Sequence, residues 1–310
     1  MKLKSLLLIT LVTTIVFCGC QSNYQPTTFT VASYNLRNAN GNDSLHGNGW
    51  GQRYPVIAKM VQYHDFDIFG TQECFLHQLK DMKEALPGYD YIGVGRDDGK
   101  IQGEHSAIFY RTDKFDIIEK GDFWLSETPD AVLPRICSWG HFKCKDTGFE
   151  FLFFNLHMDH IGKKARVESA YLVQEKMKEL GKGKNLPAIL TGDFNVDQTH
   201  QSYNAFVEKG VLCDSYEKCD FRYATNGTFN SFDPNSFTKS RIDHVFVSPA
   251  FHVKRYGILT DTYRSIVGNG EKENANDCPE EIDIKAYQAR TPSDHFPVKV
   301  ELEFDERQQK

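Results

Sequence analysis

The chain has 310 residues, 40% of them hydrophobic and 25% charged, with a formal net charge of −6. That is enough apolar material for one large domain or two small ones. The acidic balance argues against tight non-specific binding to a polyanion, although a local basic groove or a metal site would offset it.

In chain order, Lys2 and Lys4 precede the apolar run Leu6 to Phe17, and Gly19-Cys20 follows. This reads as an export signal over residues 1–19. Its apolar core of about 12 residues is short for a membrane span, which needs roughly 20. Phe17-Cys18-Gly19-Cys20 resembles the lipobox of bacterial lipoproteins, which makes Cys20 the lipidated N-terminus and residues 20–28 a tether. The expected location is the cell envelope, lipid-anchored to a bacterial membrane and facing the periplasm or the surface; plain secretion is the alternative. Removing residues 1–19 takes away two lysines and no acids, which lowers the net charge from −6 to −8. Cys74, Cys137, Cys144, Cys213, Cys219 and Cys278 then remain, an even number that permits disulfides in an exported chain, with Cys213/Cys219 and Cys137/Cys144 the nearest pairs.

No glycine- or proline-rich linker divides residues 29–304, so they read as one domain, followed by a polar tail over 305–310. Phe29 to Leu36 alternates and predicts the first strand; Tyr54 to Tyr63 has helical spacing; Phe66 to Phe69 predicts a buried strand. A helix from Phe75 to Leu86 stops at Pro87-Gly88. Five strands are expected in succession over Tyr89–Val94, Ser106–Arg111, Phe115–Trp124, Arg135–Phe142 and Phe149–Leu156. A long amphipathic helix, Lys164 to Leu180, follows. Pro187–Leu190, Ile242–Val247, His252–Leu259 and Val298–Phe304 complete the strands. The mixture predicts an α+β fold with two mostly antiparallel sheets packed face to face and helices outside.

Asn35, Glu73, His157, Asp193, Asn195, Asp243, Asp294 and His295 all fall at or just beyond predicted strand ends. In a sandwich whose strand ends converge, that regularity predicts a single polar pocket. Gly192-Asp193-Phe194-Asn195 is its most telling piece, because Asp193 and Asn195 stand two residues apart at the mouth of a buried strand.

Six blocks in order, Ser33-Tyr34-Asn35-Leu36-Arg37, Thr71-Gln72-Glu73, Asn155-Leu156-His157, Gly192-Asp193-Phe194-Asn195, Arg241-Ile242-Asp243-His244 and Ser293-Asp294-His295, resemble the signature of the endonuclease/exonuclease/phosphatase superfamily. The resemblance covers residues 29–304. It implies a four-layered αββα sandwich and a magnesium-dependent phosphoesterase, with Mn2+ a possible substitute for Mg2+.

Hydrolysis of a phosphate ester needs a water aimed in line with the leaving oxygen and neutralisation of charge on the phosphoryl oxygens. A hard divalent cation takes oxygen ligands. By resemblance Glu73 supplies the metal carboxylate, Asn35 binds the metal through oxygen or water, and Asp294 completes the outer coordination, with one or two ions held; a helix-capping role is the alternative for Glu73. Asp193 is expected to orient or deprotonate the water and Asn195 to donate to a phosphoryl oxygen. His295 is expected to act on the scissile phosphate as donor or base, with Asp243 fixing its tautomer. Glu104 and His157 resemble a leaving-group dyad with imidazolium as general acid; a structural salt link is the alternative. Arg135 sits where relatives place a phosphate-gripping arginine, against a surface ion pair.

Substrate is less constrained than reaction. Val196-Asp197-Gln198 and Ser240-Arg241-Ile242-Asp243-His244 depart from the inositol-phosphatase pattern. The expected activity is an exported phosphodiesterase, nuclease-like or acting on a small diester. A sphingomyelinase-like phospholipid activity or a sugar-phosphate activity is the alternative, and a non-catalytic binding module on the same fold is the other class. Partners are accordingly a phosphate ester (nucleic acid, phospholipid headgroup or sugar phosphate) and a membrane through the lipid anchor, with no obligate protein partner evident. Thr262 to Ala286 reads as an insertion at the strand mouths, where specificity varies.

Overall fold

A computed structural model describes residues 25–125, 128–181, 183–270, 279, 282 and 284–309. The expected signal segment, Cys20 with its expected lipidation, the first residues of the expected tether and Cys278 lie outside the described residues. The elements in order are β1 (Thr27–Asn35), α1 (Gly41–Leu45), α2 (Trp50–Tyr63), β2 (Ile68–Gln72), α3 (Leu76–Ala85), β3 (Tyr89–Ile92), β4 (Ile108–Arg111), β5 (Phe115–Trp124), β6 (Ile136–Cys144), β7 (Glu150–His157), α4 (Lys163–Leu180), β8 (Ala188–Asp193), α5 (Gln201–Val207), β9 (Cys213–Asp214), α6 (Ser215–Lys218), β10 (Phe221–Tyr223), β11 (Asp243–Val247), β12 (His252–Ile258), β13 (Tyr263–Ile266), β14 (Tyr287–Arg290) and β15 (Val298–Phe304). The tail forms a 3-10 turn, Glu306–Gln309.

One sheet has the order β10-β12-β15-β1-β2-β4-β3 and the other β5-β6-β7-β8-β11-β9. Three apolar clusters make the layering. Phe29, Val31, Ile68, Phe151, Phe153, Ile189, Val245 and Val300 fill the space between the sheets. Ala32, Tyr34, Ile57, Val61, Phe69, Leu79 and Met82 pack the first sheet against α2 and α3. Leu152, Phe154, Leu156, Val173, Met177, Leu190 and Phe246 pack the second against α4 and α5. Three cores between four layers give the αββα sandwich.

The period of two along each strand decides what reaches the site. Odd-numbered residues of β1, β7, β8 and β11 face the inter-sheet core, even-numbered ones the helices. At the C-terminal mouths of β1, β7 and β8 the inward row changes from apolar to polar: Phe29, Val31, Ser33, Asn35; Phe151, Phe153, Asn155, His157; Ile189, Thr191, Asp193. β7 and β8 are parallel with His157 opposite Asp193, and antiparallel β11 places Asp243 opposite Asp193. Three side chains from three neighbouring strands thus stand in one row.

Several elements differ from expectation. α2 begins at Trp50, not Tyr54, because Gly51 and Pro55 mask its first turns in the sequence. β4 begins at Ile108, not Ser106, and β3 ends at Ile92, not Val94, so Glu104 lies on the connection between them. α1, α5 and the short β9 and β10 carry no long periodicity. Parts of the expected insertion are ordered as an antiparallel ribbon in which β13 pairs with β14. Cys74, Cys137, Cys144, Cys213 and Cys219 are free thiols, so neither near pair is bridged. Among the described residues no helix is long and apolar enough to cross a membrane.

Candidate active site

The first sheet brings Asn35, Glu73, Asp294 and His295 to the site, and the second brings His157, Asp193, Asn195, Asp243 and Arg135. The strongest contact is His295 Nδ1 on Asp243 Oδ2 at 2.9 Å, with both residues buried. Burial lowers the basicity of His295, but the charge and hydrogen bond of Asp243, with Asp193 and Asp294 beyond, raise its pKa well above the ordinary histidine value. His295 is therefore an imidazolium at neutral pH, its Nε2 3.8 Å from Asp193 Oδ2. Burial, followed by the charge of Asp243, pushes the Asp193 carboxyl up to about 7.

Asn35 joins the two sheets. Its Nδ2 donates to Glu73 Oε1 and to Asp193 Oδ2, each at 3.0 Å, while its Oδ1 accepts from Arg37 N at 2.9 Å. The backbone donor fixes the orientation of the amide, so Asn35 presents N–H groups to the carboxylates. Asn35 was expected to meet a metal through its oxygen or through water; in this arrangement its amide N–H groups stand between the two acids. Glu73 also accepts from Asn38 N and Nδ2 at 3.2 and 3.1 Å. None of these donors belongs to α3, which starts after Phe75, whose N–H donates to Gln78 Oε1 at 3.2 Å. Asp294, raised by burial, reaches Glu73 only through Arg37, whose Nη1 lies 3.6 Å from Asp294 and 4.0 Å from Glu73.

Three residues here hold left-handed backbone conformations: Arg37 at φ 57°, Glu73 at φ 67° and Asn195 at φ 51°. Each such non-glycine residue costs on the order of 1 kcal/mol and persists only where its surroundings over-determine it. Asn195 is fixed by its own N–H on Asp193 Oδ1 and its Nδ2 on Met158 O, both at 2.9 Å. One amide N–H of Asn195 remains for a ligand.

The expected Glu104–His157 dyad is brought together, but not as a hydrogen bond. His157 Nδ1 stands 3.8 Å from Glu104 Oε2, and its Nε2 stands 3.6 Å from Asp193. Glu104 is held instead by Arg96 Nη1 at 2.6 Å, a residue that the sequence did not single out. Burial, with Arg135 and Arg96 nearby, holds the His157 pKa well below the ordinary value. That shift favours the neutral imidazole at His157, whereas the role of general acid expected of it needs the imidazolium.

Arg135 is buried, with Nη2 3.1 Å from His160 Nδ1 and no partner for Nε or Nη1. A surface ion pair is thereby ruled out. Two buried nitrogens of one guanidinium, Nε and Nη1, are thus left as donors of the kind a phosphoryl oxygen requires. His105 is buried against Cys74 O and does not line the site.

A divalent cation fits the donor set. Glu73, His157 and Asp193 offer one ligand atom each within 4.8 Å of one another, as do Asp193, Asp243 and His295. The first group suits a cation better, since burial and nearby arginines favour a neutral His157 while Asp243 favours a protonated His295. Burial first, then the charge of Asp243, drives Asp193 up to about 7, and a cation beside Glu73 would favour its ionised form.

A two-sheet αββα sandwich with acids, amides and histidines at its convergent strand ends, flanked by a buried arginine, defines the phosphoester hydrolase class. The chain belongs to the Endonuclease/Exonuclease/phosphatase family, whose model matches residues 32–295. It is 82% identical to a solved endonuclease/exonuclease/phosphatase family protein from Bacteroides thetaiotaomicron, covering 92% of this chain and 98% of that one with a TM-score of 0.84. It is 83% identical to a structure from Bacteroides thetaiotaomicron VPI-5482 named as a mannosyl-6-phosphatase, covering 88% of this chain and 99% of that one with a TM-score of 0.81. A sequence relative is the CCR4-Not complex 3'-5'-exoribonuclease subunit Ccr4 of Debaryomyces hansenii, 24% identical over 298 residues, which cover 80% of this chain and 35% of that protein. The chain spans about a third of the curated relatives it matches.

Proposed function

We propose that this protein is an exported, magnesium-dependent phosphatase that hydrolyses a sugar phosphate of the mannose 6-phosphate kind. The observation that carries this reading is the 83% identity to the mannosyl-6-phosphatase structure, spread over 99% of that chain. It favours the sugar-phosphate alternative over the diester activity expected from the sequence. Mn2+ is expected to replace Mg2+.

The residues divide the work as follows. The unpartnered donors of Arg135, the free amide N–H of Asn195 and Nε2–H of His295 hold the phosphoryl oxygens. Asp243 keeps that proton on His295 by fixing Nδ1. Asp193 takes a proton from the attacking water at a carboxylate already raised to about 7. Asn35 keeps Asp193 and Glu73 in place, and Glu73, with His157 and water, would hold the cation. When bound, the cation supplies charge neutralisation on the phosphoryl and leaving oxygens. The water oxygen bonds to phosphorus, the P–O bond to the sugar breaks, and the sugar alkoxide takes a proton from solvent. The site is placed in the cell envelope, tethered through Cys20, with the lipobox-like Phe17-Cys18-Gly19-Cys20 as support and secretion as the alternative.

The test is hydrolysis of mannose 6-phosphate, RNA and bis(p-nitrophenyl) phosphate with Mg2+, Mn2+ or EDTA, on membrane and soluble fractions. Metal-dependent release of phosphate from the sugar is expected, with Asp193→Ala and His295→Ala each at least about 100-fold slower. Activity should move from the membrane to the soluble fraction in Cys20→Ser. Turnover of diesters with none of the sugar phosphate would overturn the substrate reading, and full activity in EDTA would overturn the metal.

A further inference from the structure

The described residues between β5 and β6 build a pocket of about 240 Å³ beside the catalytic row, lined by Trp124, Thr128, Ala131, Val132, Pro134 and Arg135 among others. Arg135 belongs both to this pocket and to the site, where its charge reaches Glu104 and Asp193. It is 7% exposed and leaves Nε and Nη1 unpartnered, so the wall shared by pocket and site carries unused donors.

The loop is built rather than merely folded over. Leu125 N on Arg135 O at 2.8 Å closes its base. The Asp130 carboxylate accepts from Lys164 N and Ala165 N, at 2.8 and 3.1 Å, pinning the loop to the start of α4. Asp159, two residues beyond His157, accepts from Val132 N at 3.0 Å, and the next residue, His160, holds Arg135. The pair Asp159-His160, which the reaction does not use, therefore fastens the pocket to the catalytic strand β7.

Trp124 supplies the contact surface. Its indole N–H donates to Arg96 O at 2.9 Å, and its six-membered ring lies so close to Gly99 that a Cβ there would come within 2.7 Å. Gly99 also has φ +66°, so no larger residue readily replaces it. With its edge fixed in this way the ring is still 42% exposed. A fixed aromatic face next to buried guanidinium donors suits a ligand with an apolar C–H surface and an anionic end. The volume is below the roughly 300 Å³ at which pockets for drug-sized ligands begin, which suits one ring rather than a base joined to a sugar.

We propose that this pocket is the subsite for the hexose ring of the substrate, stacked on Trp124 while its phosphate lies between Arg135 and His295. The inference rests on the sugar-phosphate reading given above.

The test is steady-state kinetics with mannose 6-phosphate for the wild type, Trp124→Ala and Ala131→Trp, the last filling the pocket without removing the indole. Each variant is also titrated with inorganic phosphate as a competitive inhibitor. Both variants should raise KM for mannose 6-phosphate about tenfold or more with kcat changed less than about threefold, while the phosphate Ki moves less than about twofold. Should Trp124→Ala fail to fold, Ala131→Trp reads the same subsite. An unchanged KM in a folded variant, or a phosphate Ki that rises in step with KM, would overturn the subsite alone. Wild-type enzyme that cleaves diesters and no sugar phosphate would overturn the substrate reading and the subsite with it.

Discussion

His244 shows how one residue ties pH to stability. It follows Asp243 on β11, and the period of two turns it away from the site into the helix-side core, among Phe194, Tyr203 and Phe246. Its Nε2 bonds Val196 O at 3.1 Å and its Nδ1 has no partner. Burial, aided by Arg241, lowers its pKa below the ordinary value. Its unfolded form binds a proton below about pH 6.5 and its folded form resists one, so its contribution to stability is complete above that pH and is lost as pH falls. His157 has the same sign; His295, raised, has the opposite sign. The urea midpoint should fall between pH 8 and pH 5, and His244→Gln should reduce that fall by up to about one proton's worth, roughly 1.4 kcal/mol per pH unit. An unchanged slope would mean that His244 is protonated in the fold. Position at predicted strand ends and the order of the six blocks made His157, Asp193 and Asp243 legible as site residues, whereas the core position of His244 went unread. The downward shift of His157 was not legible either, because Arg96 and Arg135 come from distant segments and only the fold sets them beside it.

At the scale of elements, α2 does more than cover a sheet. Arg53, on its first turns, is fully buried with no carboxylate partner; its guanidinium donates to Leu36 O at 2.7 Å, Asn48 O at 2.8 Å, Pro292 O at 3.0 Å and Arg37 O at 3.1 Å. Trp50 and Phe232 lie over its faces. One side chain thus fastens the block after Asn35 to the block before Asp294, 239 residues apart between Arg53 and Pro292. Arg53→Met would leave four carbonyls without donors and is expected to cost at least about 3 kcal/mol in urea unfolding. Arg53→Lys should be nearly as damaging, since an ammonium lacks the planar fork. A loss under about 1 kcal/mol for Met would show that water replaces the guanidinium. Helical spacing in the sequence begins at Tyr54, one residue past Arg53, so this tie went unseen. The strands around the site were read within a few residues of their observed ends, because long apolar runs leave little freedom in register.

For the whole molecule, the meeting of the two sheets is the decisive feature. Asn155, in the inward row of β7, accepts from Gln72 Nε2 at 2.7 Å and from Thr191 Oγ1 at 3.0 Å. Its Nδ2 donates across the gap to Thr71 O at 2.8 Å and Ala107 O at 2.9 Å. Gly70 lies against this amide, and a Cβ at 70 would run into Asn155 Oδ1 and Thr191 Oγ1. The amide sits one step below the catalytic row and satisfies groups from both sheets at once. Neither sheet holds a working half of the site, and neither can slide past the other without stranding the three buried hydrogen bonds that join Asn155 to Gln72, Thr71 and Ala107. Loss of activity and loss of structure should therefore be one event. Titrated with urea, phosphoester-hydrolysis rate and far-ultraviolet circular dichroism are expected to fall along a single curve, with Gly70→Ala and Asn155→Ala moving both midpoints down together. Inactivation well ahead of unfolding would show a site that loosens by itself. The enzyme is built to fail as a unit, with no folded, inactive form to accumulate on the way.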